Sequence, residues 1–249
     1  MTALPRPFRW EGGHIAIDLR GGAALFTTRR GGVSEGPYAS LNLGPWTDDD
    51  PGHVAENRGR AAAVAGVTGE RLAQGHQVHG TAVARLSEAP EPGAEPADRD
   101  GQAVSAPDVG AIVLVADCLP VAIAGDGAVA AVHCGWRGLA GGIVAEAVAA
   151  LRELGATGPL EAAIGPGAGG CCYEVGEEVL AAFAAHGPDV HDGRLLDLPA
   201  IARRELAAAG VETVHDVALC TLHDDPDLFF SHRRDGGVTG RQAAIVRRA

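Results

Sequence analysis

Two side chains pose the chemical question in this sequence. Cys118 follows the apolar run "AIVLVA", and His133 closes "AVAAV". Each sits at the end of a stretch that reads as buried strand. If those strands are neighbours, thiol and imidazole meet. Two chemistries then follow. In a Cys–His pair the imidazole lowers the thiol pKa and creates a nucleophile. In a zinc site the same two groups act as ligands, thiolate sulfur beside imidazole nitrogen. Alone, Cys118 reads as a small buried hydrophobe, as most free cysteines are. His133 changes that balance, and Asp117 adds to it. A carboxylate ending a buried segment needs a partner or a task.

A third ligand decides between the two chemistries. "GHQVHG" offers His76 and His79. On a strand, residues three apart face opposite ways, so one of the two joins the pair. A Cys-His-His set leaves a fourth position for water, as catalytic zinc sites require. Cys134 is one pleat from His133 and is expected to face the core. Cys220 also reads as core. Cys171 and Cys172 read as free thiols in a loop.

The positioning elements follow from pattern. "HIAIDLRGGAALFTTRRGG" predicts two strands and a loop, and "YASLNLGPWTDDDPGH" a loop. "HVAENRGRAAAVAGV" has helical spacing, with Asp50 or another nearby residue placed to cap its start. "RLAQGHQVHGTAVARL" reads as strand. Residues 87–101, Pro-rich and acidic, read as an exposed loop. "VGAIVLVADCLPVAIAG" predicts a strand pair broken near Asp117 and Cys118, and "GAVAAVHCGWRG" a strand ending in a glycine turn. "LAGGIVAEAVAALREL" predicts an amphipathic helix and "LEAAIGPG" a strand. "EVGEEVLAAFAAHG" and "DLPAIARRELAAAG" predict helices closed by glycine, and "VETVHDVALCTL" a strand. The Arg-rich tail, "FFSHRRDGGVTGRQAAIVRR", reads as a hairpin. Strand-to-strand links mixed with helices imply one mixed α/β domain over residues 1–249, its β-sheets flanked by helices.

Composition narrows the partners. The chain has 249 residues, 46% of them hydrophobic, and a net charge of −12. All 20 basic residues are arginine. Such an acidic chain is a poor general binder of nucleic acid, while local Arg clusters still suit small anions. No apolar run is long enough to span a bilayer, and the N-terminus lacks an apolar signal core. Five cysteines without a CxxC pair fit reduced thiols and a cytoplasmic location. No obligate protein partner is evident.

Ordered motifs extend this reading. "FTTRRGGVS", "LNLG", "QVHG", "ADCLPV", "AVHCGWRGLAGGI", "AIGP", "CCYEVG" and "SHRRDGGVTGRQAAIV" span nearly the whole chain. Together they resemble the laccase-domain or polyphenol oxidase family of purine nucleoside phosphorylase type, which includes peptidoglycan editing factors. The resemblance implies a metal site of two histidines and one cysteine, falling on His79, Cys118 and His133. It implies zinc, with copper surviving in the family's older name. It also implies a fold similar to toxins that are Cys–His hydrolases. The implied activity is phosphate-dependent cleavage of adenosine, inosine and methylthioadenosine, with some adenosine deamination. Asp117 would assist the proton transfers, as could a carboxylate such as Glu174. Arg137, Arg29, Arg233, Arg241 and Asn42 are the candidates for substrate and phosphate, since guanidinium forks suit phosphate. Ten scattered histidines without an HxH pair speak against a true multicopper laccase. The competing readings are a peptidoglycan-precursor hydrolase, a copper-dependent phenol oxidase and a non-catalytic metal-binding domain.

Overall fold

The computed structural model describes residues 3–91 and 93–249. Three antiparallel strands open it: β1 (Arg9–Glu11), β2 (His14–Leu19) and β3 (Gly22–Phe26). Helix α1 (Pro51–Val64) follows, its first turn capped by the Asp50 carboxylate accepting from the N–H groups of Gly52 and His53. Next come β4 (Leu72–Ala73), β5 (Val83–Leu86), β6 (Gly101–Val104), β7 (Gly110–Val115), β8 (Leu119–Asp126) and β9 (Ala128–Cys134). The expected single helix after "GW" is two: α2 (Trp136–Ala140) and α3 (Ile143–Glu153). The break falls at Gly142, whose φ of 87° is left-handed and cannot continue a helix. Then follow β10 (Thr157–Ile164), α4 (Glu177–Ala182), the short pair β11 (His191–Asp192) and β12 (Leu195–Leu196), α5 (Leu198–Ala208), β13 (Val211–Asp216) and β14 (Gln242–Arg248).

The fold is mixed α/β, with two large mixed sheets flanked by helices. One sheet has the order β1-β2-β3-β14-β7-β4, the other β13-β10-β8-β9-β6-β5. Alternation of side chains sorts the residues into layers. In β7 and β14, Ile112, Leu114 and Ile245 face Ala61 and Ala62 of α1. Their neighbours Ala111, Val113, Ala244 and Val246 face the second sheet. In β8, Leu119, Val121 and Ile123 pack on the other side, against α3 and α5. Much of the inter-sheet layer is alanine, including Ala24, Ala122, Ala124, Ala131 and Ala163, which lets the two sheets approach closely.

Three expectations change. "RLAQGHQVHGTAVARL" is not one strand; β4 and β5 flank a loop over residues 74–82, and the two strands belong to different sheets. The acidic segment is mostly exposed, but it ends in Asp100, which is fully buried. The tail is not a hairpin. Residues 229–241 form turns and loop, and β14 lies mid-sheet between β3 and β7. The apolar run Ala243–Val246 is buried on both faces, which only an interior strand can satisfy. Among the described residues, no helix is long and apolar enough to cross a membrane.

The central place of β14 sets an expectation. Ile245→Ala should lower unfolding free energy by about 2–4 kcal/mol, as for a buried aliphatic truncation. Urea unfolding checks it; a loss like that of a surface change would refute the interior placement.

Candidate metal centre

The register of β8 and β9 brings the two opening residues together. Pro120 lies opposite His133, and Leu119 opposite Cys134. Side chains opposite one another share a face, as do residues two apart along a strand. Cys118 therefore lies on the same side as Pro120 and His133, at the same end of the sheet. Cys134 falls on the opposite face and joins the core with Leu119 and Val132. His79 arrives from the loop between β4 and β5. One ligand atom from each of His79, Cys118 and His133 lies within 4.8 Å of the others. The two imidazole rings stand 4.9 Å apart at 74°. His76, three residues earlier, lies on the wall of the same cavity but outside the cluster: its Nδ1 is 2.8 Å from Asp98 Oδ1, and its ring packs edge-on against Trp46.

A buried carboxylate that the sequence did not signal holds this arrangement. Asp100 Oδ1 accepts from His133 Nδ1 at 2.8 Å and from the His79 N–H at 2.9 Å. Its Oδ2 accepts from the N–H groups of Val78 at 3.1 Å and Gly80 at 2.8 Å. Three successive amides thus converge on one carboxylate, which accounts for the left-handed φ of 60° at His79. With Nδ1 engaged, His133 presents Nε2 to Cys118 and His79. Burial alone would raise the Asp100 carboxyl, but the His133 ring and these amides outweigh it and hold it low.

The thiol and imidazole stabilise each other's charge. Burial would raise the Cys118 thiol, yet the His133 charge and hydrogen bonds from His133 and His79 bring it to about 6. Burial would lower His133, yet the Cys118 thiolate and Asp100 raise it to about 9. The thiolate–imidazolium pair is therefore populated between those two values. Cys134, buried without a cationic partner, moves upward instead.

Space beside the donors is also shaped. A Cβ at Gly135 would lie 3.1 Å from Cys118 Sγ and 3.1 Å from His79 Cδ2, so a side chain there would crowd the cluster. One thiolate and two imidazoles, oriented by a buried carboxylate beside a side-chain-free backbone, fit a borderline-soft cation such as zinc.

The donors open into a cavity of about 380 Å³ that also meets Trp46, Gln77, Tyr173, His232, Arg233 and Arg241. Asp117 lies at its wall with φ of 93°. Both its oxygens are engaged: Oδ1 accepts from Thr221 Oγ1 at 2.7 Å and Oδ2 from the Arg233 N–H at 2.8 Å. Arg233 lies over the Tyr173 ring at 4.9 Å and faces a second lobe lined by Arg137, Arg194 and Glu174. Arg137 stacks on Trp136 at 4.4 Å in that lobe and not in the main cavity. Glu174 is exposed and paired with Arg194 at 3.2 Å.

Besides Arg137, two further sequence candidates lie off the cavity wall. Arg29 stacks on Phe230 at 4.5 Å and bonds the carbonyls of Ala39 and Pro226. Asn42 is fully buried; its amide donates to Thr47 and Asp49, and its carbonyl accepts from the Gly44 and Arg241 N–H groups. It braces the loop that carries Trp46. Tyr173 and His232 carry no sequence signal, because neither residue type announces itself in a loop. Asp100 carries none either, because it lies at the end of a segment that is otherwise acidic and mostly exposed.

Comparison with known proteins agrees with this architecture. The family described as multi-copper polyphenol oxidoreductase laccase matches residues 23–249. A purine nucleoside phosphorylase from Corynebacterium glutamicum is 40% identical over 238 residues, covering 89% of this chain and 92% of that one. Another, from Deinococcus radiodurans, is 41% identical over 229 residues, covering 89% and 87%. The crystal structure of YlmD from Geobacillus stearothermophilus superimposes with a TM-score of 0.86 at 33% identity, over 98% of this chain and 99% of that one.

Two outcomes follow from the geometry. In metal-free protein, alkylation of Cys118 should rise as pH increases through about 6, well below an ordinary thiol. Rates measured from pH 4 to 9 check this; a midpoint near 8.5 would contradict the ion pair. Asp100→Asn should weaken metal affinity about 10–100-fold, read by chelator competition, because the His133 ring and the His79 turn both lose their anchor.

Proposed function

This chain belongs to the multi-copper polyphenol oxidoreductase laccase family, and from that footing we propose that it is a zinc-dependent purine nucleoside phosphorylase. Its substrates on this reading are adenosine, inosine and methylthioadenosine, with adenosine deamination as a second activity. The observation that carries the reading is the meeting of the Cys-His-His cluster with an arginine-bearing cavity, in a chain about 40% identical to relatives named for that reaction.

The residues divide the work. His79, Cys118 and His133 would hold the ion, which when bound supplies Lewis acidity at the cavity floor. Trp46 and Tyr173 offer aromatic walls to a purine, and the cavity lies within the size range of small-molecule sites. Arg233 stands between the cavity and the lobe of Arg137 and Arg194, where guanidinium forks suit a phosphate dianion. Arg241 borders the cavity from the opposite loop. Asp117, with both oxygens bonded, positions the Cys118 turn against the Arg233 loop. In phosphorolysis a phosphate oxygen attacks the ribose C1′ as the bond to the purine N9 breaks, and the base takes up a proton on leaving. The site draws on residues from Gly44 to Arg241, which supports the whole chain acting as one catalytic unit. Five free cysteines support a reducing, cytoplasmic setting.

A second reading rests on the Cys118–His133–Asp100 relay. A depressed thiol, an imidazole and an orienting carboxylate match the layout of a nucleophilic hydrolase, which keeps an amide such as a peptidoglycan precursor in view. Metal dependence separates the readings: phosphorolysis needs the loaded cluster, whereas thiolate attack is strongest without it.

Inosine and phosphate incubated with zinc-loaded protein should give hypoxanthine and ribose 1-phosphate. Zinc-loaded protein yielding neither product would sink the proposal. Arg233→Ala should raise the KM for phosphate at least about tenfold with a smaller effect on the KM for inosine, since one charge-assisted contact is worth roughly 1.5–3 kcal/mol. Equal effects on both substrates would place Arg233 elsewhere.

A further inference from the structure

A second convergence of ligand-type side chains lies outside the cavity. Cys171, Cys172 and Cys220 bring their sulfur atoms within 4.8 Å of one another. Cys172 Sγ is 3.8 Å from Cys220 Sγ, and Cys171 Sγ is 2.6 Å from Cys172 Sγ. No ligand is shared with the Cys-His-His cluster. From this geometry we propose that the three cysteines form a separate thiophilic site that takes one soft d10 cation, of the class of Cu(I), Zn(II) or Cd(II).

The placement is built by the backbone and is not an accident of adjacent cysteines. Gly167 and Cys220 pair as a parallel bridge, with the Gly167 N–H donating to the Leu219 carbonyl and the Thr221 N–H to the Gly167 carbonyl. This stitches two segments that are far apart in sequence. A tight turn then reverses the first segment: the N–H groups of Cys172 and Tyr173 both donate to the Gly169 carbonyl. The Gly169 N–H in turn donates to Cys220 Sγ at 3.4 Å, orienting that sulfur. Cys171 is exposed, so a cation has an entry path.

The electrostatics of the cluster lack a positive partner. Burial is the largest cause that raises both Cys171 and Cys172, and Cys220 adds to it in each; the Cys171 hydrogen bond alone works the other way on Cys172, and the charged residue acting there is the acidic Asp224. At the other site an imidazole stabilises the Cys118 thiolate; here a bound cation would fill that role. Three sulfurs without imidazole or carboxylate ligands select the softest cations. On binding, three S–H bonds break, three metal–sulfur bonds form and the protons pass to solvent, with no change of oxidation state.

Cadmium ion is the probe, because thiolate-to-cadmium charge transfer in the ultraviolet counts sulfur ligands. Reduced, metal-free wild-type protein should bind two equivalents, the three-thiolate site adding roughly threefold the absorbance of the single-thiolate site. Cys118→Ser should keep the larger band, and Cys171→Ser should cut it by at least about one third, as one of three thiolates is removed. The Cys171 side chain is exposed, so its substitution leaves the buried packing intact. A wild-type protein that takes up one equivalent, with a band abolished by Cys118→Ser, overturns the proposal. So does a disulfide between Cys172 and Cys220, seen as a loss of two hydrogens by mass, that forms in preference to cadmium binding.

Discussion

The Asp100 carboxylate is the interaction on which the centre depends. A fully buried charge is tolerated only when its oxygens are saturated, and here four donors meet it. Those donors belong to two members of the Cys-His-His cluster and to the amides around one of them. One anion therefore fixes the tautomer of His133, forces the left-handed turn at His79 and sustains the imidazolium beside Cys118. The backbone joins in as well, since the Asp100 carbonyl accepts from the His133 N–H at 2.7 Å. The chemistry at Cys118 is set one layer further out than its own contacts.

The sheets supply the platform for that anion. β6 begins at Gly101, directly after Asp100, and pairs antiparallel with β9, which ends beside His133. β8 pairs with the other edge of β9 and begins just after Cys118. Three neighbouring strands thus deliver carboxylate, imidazole and thiol to one end of one sheet. The alanine-rich layer between the sheets allows the opposite sheet, through the loop after β4 and the segment before β14, to close over that end. Asp117 repeats the same device on a smaller scale, joining the Cys118 turn to Thr221 and Arg233.

Much of the scaffold was legible in residue order. The apolar runs of β7, β8 and β9, the break between β7 and β8, the Asp50 cap and the glycines near α3 are local signals with local causes. The separation of Cys118 from Cys134 followed from the two-residue pleat alone. Where local reading failed, long-range pairing had overridden it. The tail looked like a hairpin because its glycines and arginines suggest turns, yet the apolar end of it is claimed by β3 and β7. Arg29 and Asn42 looked available for substrate, but Phe230, Thr47, Asp49 and Arg241 occupy them from distant parts of the chain.

The sequence by itself determined that a thiol and an imidazole would each sit at the end of a buried strand, because strand termination is a property of a few consecutive residues; that β8 and β9 are neighbours was decided by the sheet. Tertiary structure decided which histidine joins them, that Asp100 orients both, which arginines reach the cavity, and that the distant Cys220 joins Cys171 and Cys172. Those outcomes depend on hydrogen bonds between segments separated by tens of residues or more. A loop has no periodicity of its own, so the direction of its side chains is set by the groups that satisfy its backbone.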